Sequence, residues 1–179
     1  MDKVFEVDIK GYLAKLPLIK ISEKITIAFF NLHGDAKLTE HCGKELAKLV
    51  GDSEVLITAE SKGLQLTHVV ARESGLCDYA VARKSKKLYM TDGINVEYGS
   101  SITTGKPQEF HLSARDVNLI KGKKVCIVDD VISTGTSLEG LEKLIEKAGG
   151  IVHKKLFVLA EADAQNRTDV NFLATIPLF

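Results

Sequence analysis

From Leu38 onward, strand-length apolar runs alternate with segments whose apolar residues recur at helical spacing. Cys42, Leu46 and Leu49 share one side of a predicted helix. It runs from a Thr39 cap to about Val50 and stops at Gly51-Asp52. Val55–Ala59 predicts a strand, and Gly63 to Glu73 a helix with Leu64, Val69 and Val70 on its apolar side and Gly75 at its end. Asp78 to Arg83 predicts another strand. Residues 84–107 are rich in Lys, Ser, Thr and Gly, so they are expected to form a mobile functional loop or an irregular hairpin returning through Gln108–Leu112. Lys124–Val128 is a near-continuous apolar run, the pattern of a central parallel strand covered on both faces. Leu138, Leu141, Leu144, Ile145 and Ala148 follow helical spacing up to Gly149-Gly150, and Ile151 to Leu159 predicts a further strand.

This order predicts an α/β protein with a doubly wound, mainly parallel central sheet and helices on both faces. Ligands of such sheets bind beyond the carboxyl ends of the strands. Residues 1–35 mix short apolar pieces with Gly11 and Pro17, and no element is assigned there. There is no internal repeat, low-complexity tract or Pro/Ser-rich linker, so residues 1–179 read as one domain with an N-terminal subregion.

Lys plus Arg balance Asp plus Glu, 24 against 24, which gives no general argument for nucleic acid as a partner. Cys42, Cys77 and Cys126 are too far apart for a zinc knuckle, and Cys126 reads as a core thiol. His33, His41, His68, His111 and His153 show no metal-ligand spacing. The N-terminus lacks a basic segment followed by an apolar stretch, and no apolar run approaches the ~20 residues that span a bilayer. The expectation is a cytoplasmic protein with no membrane partner.

The richest stretch is Val128-Asp129-Asp130-Val131-Ile132-Ser133-Thr134-Gly135-Thr136-Ser137, which joins the best strand to the best helix. Backbone N–H groups in such a turn, with the partial positive charge of a helix N-terminus, make an anion site. Ser and Thr hydroxyls add donors, and Gly135 lets the backbone approach a ligand. The two carboxylates would repel a phosphate but fit a polyol or a hydrated Mg²⁺. A ligand with a phosphate beside a ribose diol satisfies both halves.

This stretch resembles the ribose-phosphate signature of type I phosphoribosyltransferases. The resemblance implies that Asp129 and Asp130 address the ribose hydroxyls, while Ser133, Thr134, Gly135, Thr136 and Ser137 cradle the 5′-phosphate of phosphoribosyl pyrophosphate. Ala59-Glu60-Ser61-Lys62-Gly63 resembles the pyrophosphate loop of adenine phosphoribosyltransferases, with Lys62 where an Arg is usual. Arg83 and Lys84 fall where the family places basic residues against pyrophosphate. Glu97-Tyr98-Gly99 resembles the catalytic-loop triplet of the adenine enzymes, which implies a proton-transfer role for Glu97. The Gly99–Pro107 stretch fails the nucleotide P-loop pattern on spacing and on Pro107.

The resemblance covers about Val55 to Leu159. Outside it, Phe29-Phe30-Asn31-Leu32 is the nearest match to a base-covering hood segment, with Phe and Asn where Arg and Asp are usual. Phe29 and Phe30 are therefore either base-stacking or core residues. The Ile176–Phe179 tail is similar to that of several adenine enzymes.

The expected activity is purine phosphoribosyl transfer in salvage, with adenine ahead of xanthine, hypoxanthine or guanine. Mg²⁺ is the expected cofactor, held through the substrate and by Asp129 and Asp130, in a homodimer. The alternative is a non-catalytic phosphoribosyl pyrophosphate sensor. A sensor that controls transcription needs a DNA-binding element, and residues 1–50 show no basic helix-turn-helix.

Overall fold

The structure is a computed structural model that describes residues 3–23, 25–100 and 107–179. Its centre is a five-stranded parallel sheet of β4 (Val55–Ala59), β5 (Tyr79–Ala82), β8 (Lys124–Ile132), β9 (Ile151–Glu161) and β10 (Asn171–Ile176). Their spatial order is β10-β9-β8-β4-β5, with every pairing parallel. From β4 the chain winds outward to β5, and from β8 it winds the other way to β9 and β10. The order therefore reverses between β4 and β8, which makes the carboxyl ends of those two strands the switch point where ligands bind.

Side chains alternate across this sheet with period two. Leu56, Cys126, Val128, Leu156 and Val158 face one core, with Leu38, Cys42 and Leu46 of α1 (Ala36–Ala47) and Leu66 and Val70 of α2 (Gly63–Ser74). Val55, Ile57, Val125, Ile127 and Phe157 face the other, with Ile120 of α3 (Ala114–Ile120) and Leu138, Leu141 and Leu144 of α4 (Thr136–Lys147). Burying each such side chain stabilises the fold by about 1.5–3 kcal/mol, so the sheet is held from both faces.

Residues before α1 form an antiparallel sheet of β1 (Val4–Ile9), β2 (Tyr12–Lys20) and β3 (Thr26–Ala28). Lys10 and Gly11 join β1 to β2 with φ of 52° and 91°, the two positive values of a type I′ turn. Val7 and Ile9 enter the same core as α1. The C-terminal Phe179 exchanges backbone hydrogen bonds with Thr26 at 2.9 and 3.0 Å, and its ring packs edge-on against Phe5.

Two expectations are corrected. The N-cap of α1 is Asp35, whose carboxylate accepts from Leu38 N at 3.0 Å; Thr39 lies inside the helix and its hydroxyl donates to Asp35 O. Leu49 lies beyond the helix end and is exposed. Of the two readings of segment 84–107, the irregular hairpin is the one present: β6 (Ile94–Ser100) pairs antiparallel with β7 (Pro107–Leu112), with a register shift between Tyr98 and Ser100. The part of the expected loop at 101–106 lies outside the described residues. α3 and β10 carry no strong pattern and were not expected. Cys126 is a core thiol as expected: burial pushes it, like Cys42, up to about 12.

Candidate active site

The Asp129–Ser137 segment lies at the switch point. β8 runs further than its apolar core suggests, to Ile132, so both aspartates sit within a strand flanked by β4 and β9. They are buried, with 8% and 6% of their surface exposed, which is costly for two adjacent carboxylates. Burial first, and the Asp130 carboxylate second, push the Asp129 carboxyl above the usual carboxylate range. Asp129 Oδ1 accepts from Asp130 N at 2.9 Å and from Ser61 Oγ at 3.4 Å. Asp130 Oδ2 is 2.6 Å from Lys62 Nζ. Among the described residues, this ion pair is the one polar contact of that buried oxygen.

After Ile132 the chain turns through Ser133 and Thr134, both exposed, to Gly135 at φ 85°, the N-cap of α4. Among the described residues, no side chain caps α4. Its first N–H groups are therefore free to receive an anion, apart from a long 3.5 Å contact from Thr136 N to Thr134 Oγ1. A cavity of about 250 Å³ lies over this turn, lined by Ser61, Lys84, Asp129, Asp130 and every residue from Ser133 to Ser137. Acceptors and donors are thus separated: carboxylates on the strand side, hydroxyls and N–H groups on the helix side.

β4 contributes the opposite wall. Gly63 opens α2 where a Cβ would fall 2.4 Å from Thr58 Oγ1 and 2.8 Å from Asp129 Oδ1, so only glycine lets the helix start this close to Asp129. Glu60 does not face an anion; it accepts from Arg83 Nη1 at 2.6 Å and Lys84 N at 3.3 Å, joining the ends of β4 and β5. Arg83 is thereby held aside, while Lys84 lines the cavity. Lys84 also borders a second cavity of about 470 Å³ with Lys86, Tyr98, Gln108 and His111.

The β6–β7 hairpin leans on the turn. Gly99 has φ 52°, and a Cβ there would fall 2.4 Å from Thr136 Cγ2. Tyr98 is buried, stacks on Phe110 at 4.1 Å and lies near Ser137 of the turn. Burial and the nearby Asp129 carboxylate raise its phenol above the usual value. Tyr98 lines the site without a role implied by the motif that contains it; its even spacing with Val96 and Ile94 in the sequence marks the inward face. The same alternation turns Glu97 to the exposed face, opposite Glu109, and away from the cavity lining.

The N-terminal segment reaches the site through Lys62, which donates to Phe30 O at 2.8 Å and lies 5.6 Å from the centroid of the Phe29 ring. Phe30 as a base-stacking residue is corrected: its side chain belongs to the core, with 2% exposed, because it follows β3 into the α1 interface. Phe29 keeps an exposed ring. Among the described residues, no group of three or more His, Cys, Asp or Glu side chains could hold a metal ion.

Fold and site together define a doubly wound α/β protein whose switch point holds a cavity with carboxylates on one side and hydroxyls and helix N–H groups on the other. The chain matches the model of the phosphoribosyl transferase domain over residues 32–170. It is 31% identical over 137 residues to the adenine phosphoribosyltransferase of Methanococcus maripaludis, covering 74% of each chain. It is 32% identical over 140 residues to a xanthine phosphoribosyltransferase of an Exiguobacterium species, covering 74% of this chain and 71% of that one. The adenine phosphoribosyltransferase structure from Thermoanaerobacter pseudethanolicus shares the fold, with a TM-score of 0.68 at 22% identity over 97% of this chain and 95% of that one. So does the Giardia lamblia enzyme complexed with 9-deazaadenine, with a TM-score of 0.67 at 17% identity, over 97% and 93%. This chain belongs to the phosphoribosyl transferase family, and its relatives are purine phosphoribosyltransferases.

Proposed function

We propose that the protein transfers a 5-phosphoribosyl group from phosphoribosyl pyrophosphate to a purine, adenine first, releasing pyrophosphate. In that reaction the bond from the anomeric carbon to a pyrophosphate oxygen breaks and a bond to a purine ring nitrogen forms, while the N–H proton of the base ends on the released pyrophosphate. The observation that carries the reading is the pairing of two buried carboxylates with an uncapped helix N-terminus around one cavity.

Ser133 to Ser137 would hold the 5′-phosphate, and Asp129 and Asp130 would accept from the ribose hydroxyls. Asp130 Oδ2, buried and paired with Lys62, would be open to a ribose hydroxyl once that lysine turns to the pyrophosphate. Lys84, and Lys62 once released from Asp130, would meet the pyrophosphate. Arg83 would reach it only on leaving Glu60. Tyr98 would close one wall and exclude water from the reacting carbon. Glu97 would take part only if the hairpin rearranges, since its side chain is on the exposed face. Phe29 would stack on the base.

The hard oxygen donors Asp129 and Asp130 suit Mg²⁺ held largely through substrate oxygens, where the ion would neutralise the leaving pyrophosphate. The chain is proposed to act as one unit in a cytoplasmic homodimer. The N-terminal sheet shares its core with α1, which supports one unit.

The test is a panel of purine and pyrimidine bases assayed with phosphoribosyl pyrophosphate and Mg²⁺. Adenine is expected to turn over fastest. Xanthine as the preferred base would favour the reading that the Exiguobacterium relative suggests. Binding of phosphoribosyl pyrophosphate without turnover of any base would leave only a sensor.

A further inference from the structure

The phosphate turn is short of positive charge. Lys84 is the one cation among the described residues lining its cavity, against two buried carboxylates. A helix N-terminus supplies only about half a charge, whereas a phosphate monoester carries about −1.5 to −2 near neutral pH. A full cation close to Gly135 would correct the imbalance.

The structure places one there. Beyond β9 the chain reverses at Ala162, which takes φ 52°, uncommon for a residue with a Cβ. A 3-10 turn over Ala162–Asn166 follows and brings Arg167 onto the phosphate turn. A Cβ built on Gly135 would fall 2.6 Å from Arg167 Nη1. Glycine at 135 thus answers two demands, the positive φ and the approach of a guanidinium.

Arg167 is held from behind. Asp169 accepts from its Nε at 3.0 Å and from its Nη2 at 2.8 Å, a two-pronged grip that fixes the plane of the guanidinium. Lys155 donates to Asp169 at 2.9 Å and also pairs with Glu142 of α4. The Arg167 and Lys155 bonds keep the Asp169 carboxyl well below the usual range. The acidic groups around Arg167 are Asp169, Glu142 and Glu139. Among the described residues, the side-chain hydrogen bonds of Arg167 use Nε and Nη2, so the N–H groups of Nη1 face Gly135 uncommitted.

We propose that Arg167 is a further substrate-binding residue: Nη1 donates to a terminal oxygen of the 5′-phosphate seated on Ser133–Ser137, and Asp169 is its positioning residue. The proposal rests on the reading of that turn as the phosphate site. It gives the anion a full charge beside Gly135, on the turn itself.

The test is calorimetry with two probes that occupy opposite ends of the site: ribose 5-phosphate alone, and pyrophosphate with Mg²⁺. Arg167→Gln is expected to weaken ribose 5-phosphate about 10- to 100-fold, the worth of a charge-assisted hydrogen bond, and to leave pyrophosphate unchanged. Asp169→Asn, which keeps the charge but loosens the grip, is expected to give a smaller loss for ribose 5-phosphate only. Arg167→Lys, which keeps the charge without the fork, is expected to fall between wild type and Arg167→Gln and serves if the Gln variant does not fold. Unchanged ribose 5-phosphate affinity in folded Arg167→Gln or Arg167→Lys overturns the proposal while the site reading stands. Equal losses for both probes also overturn it, since they mean site-wide damage. A wild-type protein that binds neither probe overturns the proposal and the site reading together.

Discussion

Lys62 Nζ lies 2.6 Å from Asp130 Oδ2, so the lysine of the β4–α2 loop and a buried carboxylate of β8 neutralise each other across the switch point. The same Nζ donates to Phe30 O, which ties the N-terminal sheet to the site. Both residues therefore carry structural load as well as their proposed ligands.

Lys62→Ala is expected to raise KM for phosphoribosyl pyrophosphate and to lower stability by about 1–2 kcal/mol. That is less than a fully buried pair would cost, because the lysine is partly exposed. Adding Asp130→Asn should recover part of the stability and none of the activity. Thermal melting of the two single variants and the double variant measures the coupling.

Asp129→Asn is expected to stabilise the protein while impairing it. Burial raises the Asp129 carboxyl, so ionising it costs more in the folded than in the unfolded chain. Its contribution is fully favourable below the ordinary carboxylate range and is lost as pH rises through the raised value. Without ligand, the variant should melt above wild type at pH 8, by about 2–4 °C per kcal/mol in a chain of this size, and the gap should close by pH 4. An equal gap at both pH values would contradict the burial argument. KM for phosphoribosyl pyrophosphate should rise, since an amide accepts less strongly from a diol.

Gly135→Val is expected to abolish phosphate binding. Gly135 holds φ 85°, which a β-branched residue tolerates poorly, and its Cβ would meet Arg167. Calorimetry with ribose 5-phosphate checks this, with normal affinity counting against the cradle.

Glu97→Gln separates two roles for the hairpin. A proton-transfer role reached only after rearrangement predicts a fall in kcat with KM little changed. Full activity would leave Glu97 as the exposed hairpin residue that it is here. Tyr98→Phe keeps the stacking on Phe110 and removes the hydroxyl near Ser137. It should raise KM for phosphoribosyl pyrophosphate with little change in melting temperature.

What the sequence determined by itself was local. The apolar runs Val55–Ala59 and Lys124–Val128 announced buried parallel strands, because each is too short for a helix and apolar on both faces. Asp129 to Ser137 announced an anion turn, because its carboxylates, hydroxyls, glycine and helix start are contiguous. Alternation in Phe5, Val7 and Ile9 with Glu6 and Asp8, followed by Lys10-Gly11, was also there to be read as a hairpin. The tertiary structure decided what is not contiguous. Lys62 meets Asp130, Tyr98 meets Ser137 and Arg167 meets Gly135 across separations that no periodicity encodes. Which face of β6 turns inward, and so whether Tyr98 or Glu97 meets the turn, was settled by packing. A strand offers its faces alternately, and the aromatic ring gains more from burial against Phe110 and α4 than a carboxylate could.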